Sequence, residues 1–326
     1  MVCSCLTMAN AMQNGLLTIQ GLKTYFFTRW GVVKAVDDID LEVKKGETLG
    51  LVGESGCGKS VTALSILRLV PKPKGRIVGG KIMFQGRDLL TTEDKQLRAI
   101  RGGEIGMIFQ EPMTSLNPVF TIGSQVKEAL CAHARFTRDE ANERAKKLLT
   151  SVGLPDAGHR MRNYPHQLSG GQRQRVMIAM ALAGNPKLLI ADEPTTALDV
   201  TIQAQILELI QRLREQRGLA MILITHDLGV IAQTADRCGV MYAGKMMEYT
   251  DVKTLFAQPK HPYTVGLLSS VYERLPIPGN VPNLLEEIPG CPFNPRCPSV
   301  MKVCRRKLPP FFNPTPGQQA RCWLYG

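Results

Sequence analysis

The stretch Gly53-Glu54-Ser55-Gly56-Cys57-Gly58-Lys59-Ser60 decides the fold of this chain of 326 residues. It fits the pattern Gly-x-x-x-x-Gly-Lys-Ser, follows the apolar run Thr48–Val52 and precedes Val61–Leu67, whose apolar spacing predicts a helix. Glycines let successive backbone N–H groups converge on an anion, and a helix that opens at Lys59 adds the positive end of its dipole. Lys59 can then reach the outer phosphates, and the Ser60 hydroxyl can ligate Mg²⁺. The strand, loop and helix together predict a nucleotide phosphate site rather than an ordinary glycine-rich turn.

The composition is that of a soluble globular protein, with 44% hydrophobic and 21% charged residues. No apolar run approaches the ~18 residues that span a bilayer, and residues 1–15 lack the features of a signal peptide. We therefore expect a cytosolic protein with a disordered leader at 1–15. The net charge of +12 permits nucleic acid, an anionic membrane or an acidic partner. Because aromatic residues make up only 6%, no stacking groove for nucleic acid is indicated, and we expect no nucleic-acid partner.

The polar residues that follow two of the apolar runs are candidates for the catalytic chemistry. Leu188–Ala191 is followed by Asp192 and Glu193, which predicts a buried parallel strand with acids at its carboxyl end. Asp192 is the candidate Mg²⁺ ligand, and Glu193 is the candidate base for the attacking water. The alternative is an Asp-Glu pair that faces solvent. His226 follows the run Ala220–Thr225. A lone histidine after a strand is more often a surface residue, but its place beside the other strand ends makes it a candidate for contact with the γ-phosphate.

A third motif lies in a mostly helical region between Thr121 and Leu182. Leu168-Ser169-Gly170-Gly171-Gln172 leads into a predicted helix, Arg173–Ala183. A Ser-Gly-Gly turn at a helix start, with Ser169 near the N-cap, can receive an anion. Taken alone, it is equally well an ordinary capping turn.

Together these motifs resemble the nucleotide-binding subunits of ABC transporters over nearly the whole chain. The resemblance implies an α/β P-loop NTPase fold. It places a RecA-like core with an antiparallel β subdomain at 16–111 and 183–250, a helical signature subdomain at 112–182, and an irregular C-terminal extension at 251–326.

The resemblance also implies roles for individual residues, which match the family's motifs one by one. The implied nucleotide contacts are the adenine-stacking Phe26 (with Tyr25 and Phe27 as neighbouring alternatives), Gly53, Ser55, Gly56, Cys57, Gly58, Lys59, Ser60, Val61, Ser169, Gly170, Gly171, Gln172 and Asp199. The implied Mg²⁺ ligands are Ser60, Gln110 and Asp192, and the implied catalytic residues are Glu193, His226 and Gln110.

Three further stretches resemble the ATPases of dipeptide and oligopeptide (peptide/nickel) importers: Met107–Pro118, His261–Thr264 and Gly290–Pro298. Val61 after the loop serine is similar to the D-type member of the paired subunits. The resemblance implies a peripheral subunit on the cytoplasmic face of the membrane that uses ATP to power peptide import. Its implied partners are a second ABC ATPase subunit in a heterodimer, two separate transmembrane permease subunits and, indirectly, an extracytoplasmic peptide-binding protein. One phosphate loop and one signature motif per chain agree with a two-fold or pseudo-two-fold dimer.

Two alternative functions belong to other classes. One is a non-transport ABC ATPase acting on nucleic acid or the ribosome, which the basic charge and the cysteines invite. Such relatives fuse two ATPase domains and carry their cysteines at the other end. The other is a zinc-stabilised regulator with incidental ATP binding, against which Glu193 and His226 argue.

Four of the nine cysteines lie near the C-terminus with the spacing C-x₅-C-x₆-C-x₁₇-C: Cys291, Cys297, Cys304 and Cys322. In a reducing compartment four thiols fit a metal site better than disulfides. Tetrahedral zinc and an iron–sulfur cluster are both chemically possible. The absence of C-x₂-C pairs mildly favours the cluster, and the resemblance to importer ATPases implies a [4Fe–4S] cluster, with zinc as the alternative.

Overall fold

The computed structural model describes residues 15–111, 115–196, 198–286 and 288–326. Residues 1–14 of the leader predicted at 1–15, with Cys3 and Cys5, lie outside the described residues, as do residues 112–114 of the Gln110 loop and Ala197, whereas Gly15 begins a strand. The chain divides into two compact units, one formed by the residues up to 91 together with 223–326 and the other by 92–222. The division into core, helical subdomain and extension that the motifs imply stays a prediction.

The helices and strands follow one another in a mixed α/β order. Up to residue 131 they are β1 (Gly15–Thr28), β2 (Gly31–Lys44), β3 (Thr48–Val52), α1 (Lys59–Ile66), β4 (Gly75–Phe84), β5 (Arg87–Asp88), α2 (Asp94–Ile100), β6 (Ile105–Ile108) and α3 (Ile122–Cys131). The central elements are α4 (Arg138–Ser151), α5 (Ala157–Arg160), α6 (Gly170–Leu182), β7 (Leu188–Asp192), α7 (Val200–Arg217), β8 (Ala220–Ile224) and α8 (Leu228–Thr234). The last are β9 (Arg237–Tyr242), β10 (Lys245–Asp251), α9 (Val252–Ala257), α10 (Pro262–Tyr272), β11 (Phe312–Thr315) and β12 (Gln318–Ala320).

The first unit contains an antiparallel sheet with the strand order β2-β1-β4-β5. The strand β1 runs unbroken past Gly21 from Gly15 to Thr28. Register shifts interrupt its pairing with β2 between Ile19 and Leu22, and bulges of this kind absorb an extra residue without ending a strand. Gly21 has φ 56°, a left-handed value that glycine adopts at little cost.

The first unit also contains strands in the order β11-β12-β10-β9-β3. β3 runs parallel to β9, with Leu49 opposite Arg237 and Val52 opposite Val240. All five residues of β3 are buried, as expected for a parallel strand covered on both faces. The phosphate loop therefore leaves the carboxyl end of a buried parallel strand, where α/β proteins place their ligands.

The second unit has the strand order β8-β7-β6 and a group of helices. β6 and β7 are parallel, with Ile105 opposite Leu188. The predicted apolar strands are confirmed, because every residue of β7 and β8 is buried. Among the helices of the described residues, none has the length and apolar character to cross a membrane.

The C-terminal extension is more regular than the irregular segment that the sequence predicts. It contributes α10 and the strand β12, which pairs with β10 at Glu248 and Tyr249. The extension also has a buried centre, in which Tyr263 and Phe293 pack against Tyr242 of β9 with ring centroids 4.6 and 5.2 Å from the Tyr242 ring. Proline predicts breaks in local structure, and it carries no information about these long-range contacts.

Candidate nucleotide site and cysteine cavity

The phosphate loop has the backbone geometry that its glycines predict. Gly53, Gly56 and Gly58 have φ values of 150°, 78° and 107°, which side-chain-bearing residues rarely adopt. A Cβ at Gly53 would collide with the Met241 carbonyl, and a Cβ at Gly58 would collide with that of Ala35. The loop is therefore packed tightly against neighbouring backbone, and α1 begins directly after Gly58.

Lys59 lies buried at the start of α1 and folds back over its own loop. Its Nζ donates to the carbonyl oxygens of Gly53 at 2.8 Å and Glu54 at 3.1 Å. These bonds hold the ammonium group over the loop, where a phosphate oxygen can replace a carbonyl as acceptor. Cys57 is also buried, and burial raises the pKa of its thiol. Ser60 and Val61, the next two residues of α1, are half-buried, while Ser55 at the loop tip is exposed.

The carboxylate pair lies where the sequence predicts it, at the end of β7. Asp192 is buried, at 4% exposure. The Glu193 carboxylate accepts hydrogen bonds from Gln110 Nε2 at 3.1 Å and Thr196 Oγ1 at 2.9 Å, and Glu193 has φ 45°. The structure thus brings together two predicted residues, Gln110 and Glu193. The sequence did not predict the contact with Thr196. The only sequence feature that could have indicated it is a hydroxyl residue three positions after Glu193.

The Ser169 turn is the N-terminus of α6, as predicted. The Ser169 hydroxyl accepts from Gln172 N–H, and the Gln172 side chain accepts from Ser169 N–H at 3.1 Å, which is a capping box. Gly170 and Gly171 face the start of α7, because added Cβ atoms would meet Leu198 and Ile202. Asp199 caps α7 by accepting from Ile202 N–H at 3.0 Å. The Ser169 turn therefore lies next to the N-terminus of α7, where Asp199 is the cap.

Two further predicted residues are placed as follows. His226 is exposed and lies two residues after the end of β8. Phe26 is half-buried in β1, with its ring against Gly75. Its neighbours differ from it: the Tyr25 hydroxyl donates to Asp37 at 2.7 Å, and Phe27 is exposed with the Arg76 guanidinium 5.3 Å from its ring. The choice of Phe26 for adenine stacking stays a prediction.

The four C-terminal cysteines line one small cavity of about 10 Å³, together with His261 and Trp323 among others. Burial, together with the neighbouring thiols of Cys322, Cys304 and Cys297, raises the pKa of Cys291 to about 12. The structure therefore brings together four residues that are spread over 32 positions of sequence, which the spacing alone could not show.

The cysteine cavity as described does not fit a [4Fe–4S] cluster. About 10 Å³ accommodates roughly one water-sized sphere, far less than four irons and four sulfides. Within residues 15–111, 115–196, 198–286 and 288–326, no group of three or more His, Cys, Asp or Glu side chains is arranged to hold a metal ion. The predicted cluster and the predicted zinc site are thus not shown by this structure.

Comparison with known proteins agrees with this geometry. The family described as "ABC transporter" matches residues 36–196, and the family described as "Oligopeptide/dipeptide transporter, C-terminal region" matches 247–304. A probable peptide ABC transporter ATP-binding protein, y4tR of Sinorhizobium fredii, is 53% identical over 97% of this chain and 96% of its own length. The dipeptide transport ATP-binding protein DppD of Bacillus subtilis is 50% identical over 95% and 94%.

A solved structure has the same fold. The dimeric ATP-binding cassette MJ0796, bound to ADP and Pi, matches 72% of this chain and 98% of its own with a TM-score of 0.65 and 28% identity. The fold and the phosphate loop thus define an ABC-type ATPase with a mixed α/β cassette. The chain belongs to the ABC transporter family, among the ATP-binding subunits of its peptide transporters. These relatives set aside the alternative of an ATPase that acts on nucleic acid or the ribosome.

Proposed function

We propose that this chain powers the import of dipeptides or oligopeptides by hydrolysing ATP with Glu193 as the catalytic base. The observation that carries the chemistry is the Glu193 carboxylate at the end of β7, held by Gln110 and Thr196. A base must be oriented toward the water it activates, and two hydrogen bonds to one carboxylate oxygen fix its direction. The cargo follows from the two peptide-transporter relatives and from the match of the C-terminal region.

The proposed site uses the chain's own groups in three ways. Lys59 exchanges its bonds to Gly53 and Glu54 for bonds to the β- and γ-phosphates, and the loop N–H groups bind the same oxygens. The hydroxyl of Ser60 and the carboxylate of Asp192 are the oxygen donors that Mg²⁺ prefers, with Gln110 as a further ligand. Mg²⁺ supplies positive charge against the phosphates. His226 contacts the γ-phosphate in this proposal.

The active unit that we propose is a dimer of two ABC ATPase subunits. Each chain has one phosphate loop and one Ser169 turn, and the solved cassette MJ0796 is a dimer. Ser169, Gly170, Gly171, Gln172 and Asp199 would contact ATP held by the other subunit. The partner is a second, related ATPase, and the pair docks on two permease subunits at the cytoplasmic face of the membrane. A peptide-binding protein outside the membrane acts on the pair indirectly.

The cysteine cavity is proposed as a metal site in a second state of the extension. Its support is the convergence of four thiols that the sequence spreads over Cys291 to Cys322, together with the resemblance to importer ATPases. A [4Fe–4S] cluster would require a larger cavity than the described one of about 10 Å³, and a single zinc ion is the smaller four-thiolate alternative. The cluster stays our first choice, and zinc is the alternative.

The function is tested by reconstituting the chain with its permease and partner ATPase in liposomes. We expect ATP hydrolysis that rises when peptide and the binding protein are supplied. Glu193→Gln is the matched catalytic control. It keeps the shape of the side chain but removes the base, and it should lower hydrolysis by ~10²–10⁴-fold while MgATP still binds. Hydrolysis at the wild-type rate in Glu193→Gln, or no response to any peptide, would contradict the proposal.

A further inference from the structure

The second residue of the phosphate loop, Glu54, is held by two side chains of the C-terminal extension. Its backbone N–H donates to the Tyr263 hydroxyl at 2.8 Å. Its carboxylate accepts from both terminal nitrogens of Arg296, with Nη1 2.7 Å from Oε2 and Nη2 3.0 Å from Oε1. Paired N–H···O bonds of this kind fix the orientation of both groups. The backbone and the side chain of one loop residue are thus both fixed by the extension.

Arg296 is itself held from several directions. Besides Glu54, it donates to the Pro278 carbonyl at 2.9 Å, the Ile277 carbonyl at 3.2 Å and the Tyr242 hydroxyl at 3.3 Å. A guanidinium has five N–H groups, and these bonds together with the two to Glu54 use all five. The side chain is 5% exposed. Arg296 is therefore a fixed support and not a mobile surface arginine.

The second support, Tyr263, is equally rigid. Its side chain is fully buried and packs against Tyr242 and Phe293, with ring centroids 4.6 and 5.3 Å away. Aromatic rings packed in this way resist reorientation because each fills the space beside the others. Glu54 thus rests on a packed cluster that can set the position of the loop.

The charge of Arg296 matters because of what the loop binds. The Glu54 carboxylate belongs to a loop that must accept phosphate anions, and an unpaired carboxylate there would repel them. The Arg296 charge offsets this repulsion. The Glu54 carbonyl also accepts from Lys59 Nζ at 3.1 Å, so the position of Glu54 affects where the lysine lies before nucleotide binds.

We propose that Arg296, assisted by Tyr263, is a positioning residue for the triphosphate of ATP: it neutralises Glu54 and holds the phosphate loop open for the anion. The inference rests on the proposed ATP site. It assigns to the C-terminal extension a direct effect on nucleotide affinity, exerted through Glu54.

The test measures the Kd of MgATP by calorimetry on the full chain, with thermal unfolding recorded for every variant. Arg296→Met should weaken binding by roughly tenfold, as expected when a unit charge beside a phosphate site loses its partner. Arg296→Lys keeps the charge and should weaken binding less. The double variant Glu54→Gln/Arg296→Met removes both charges and should recover most of the affinity. Arg274→Met, at an exposed arginine of the same extension, is the matched control and should bind like wild type.

The double variant separates this role from simple loss of folding. A structural staple would leave the double variant at least as unstable and as weak as Arg296→Met, and that result would overturn the proposal. Unchanged MgATP affinity in Arg296→Met would overturn it as well, while leaving the ATP site intact. If Arg296→Met does not fold, Glu54→Gln alone decides: binding no weaker than wild type supports the proposal, and a tenfold loss overturns it. A wild-type chain that binds no MgATP would overturn this inference and the proposed function together.

Discussion

Glu248 shows how one buried polar residue can hold a whole segment. Its side chain is fully buried, and its two oxygens accept from the backbone N–H groups of Lys260 and His261 and from Gln318 Nε2, at 2.8–2.9 Å. Every one of these partners belongs to the C-terminal extension. A buried carboxylate is tolerated because its oxygens are satisfied by donors, and it links β10 to α10 and β12.

The first prediction is at this residue. Glu248→Gln replaces one acceptor oxygen by an NH₂ group that faces an N–H donor, so one buried donor loses its partner. We expect a loss of ~1–3 kcal/mol in the free energy of unfolding. Urea denaturation of Glu248→Gln measures it, with Glu273→Gln, an exposed glutamate after α10, as the control. Equal stability of the two variants would show that the Glu248 bonds do not hold the extension.

At the scale of elements, the cysteine cavity depends on how the extension folds. Cys291 and Cys304 are joined through the backbone, since Cys291 N–H donates to the Cys304 carbonyl at 2.8 Å. Gly290, with φ 79°, allows this approach because a Cβ there would meet the Cys304 carbonyl. The turn at Gly290 and this backbone hydrogen bond therefore bring Cys291 and Cys304 together without a metal ion.

The second prediction concerns this element. Protein purified without oxygen should be brown and absorb broadly near ~400 nm, and Cys297→Ser should abolish the colour, because Cys thiolates ligate iron–sulfur clusters. Cys131→Ser, at an exposed cysteine outside the cavity, should keep it. Metal analysis completes the measurement. Colourless protein with one zinc ion per chain would contradict the cluster and support the zinc site. Protein that contains neither metal would contradict both.

At the scale of the whole molecule, the proposed dimer pairs the Ser169 turn of one chain with the phosphate loop of the other. The capping box satisfies the backbone of this turn locally, and the adjacent Gly170 and Gly171 pack against Leu198 and Ile202. In the proposed assembly a second chain brings its ATP to this turn, so hydrolysis depends on association and not on one chain alone.

The third prediction tests this dependence. Ser169→Arg places a long cation in the turn and should suppress hydrolysis in the assembled transporter, while the isolated chain still binds MgATP. Ser169→Ala is the control, because it removes the same N-cap oxygen at a cost of ~1 kcal/mol to α6 without adding bulk. The hydrolysis rates of both variants, measured with the partner ATPase, show whether the added bulk or the lost cap lowers the activity. Equal rates would assign the effect to the cap, and full activity of a monomer would remove the dimer from the mechanism.

The sequence by itself determined the local parts of this protein. The phosphate loop, the buried runs Thr48–Val52 and Leu188–Asp192, and the Ser169 cap follow from short-range rules: glycine conformation, apolar runs and helix capping. Such features depend on a few neighbouring residues, so a pattern of letters is enough to predict them. The family could be predicted from the sequence for the same reason, because its motifs are short and local.

Only the tertiary structure decided the contacts between distant segments. Arg296 meets Glu54 across 242 positions, Gln318 meets Glu248 across 70, and four cysteines close on one cavity. Nothing in the local pattern of Arg296 distinguishes it from the other basic residues of the extension. Its partner is set by how β9, α10 and the extension pack around Tyr242 and Phe293, and packing of this kind depends on the shape of the whole unit.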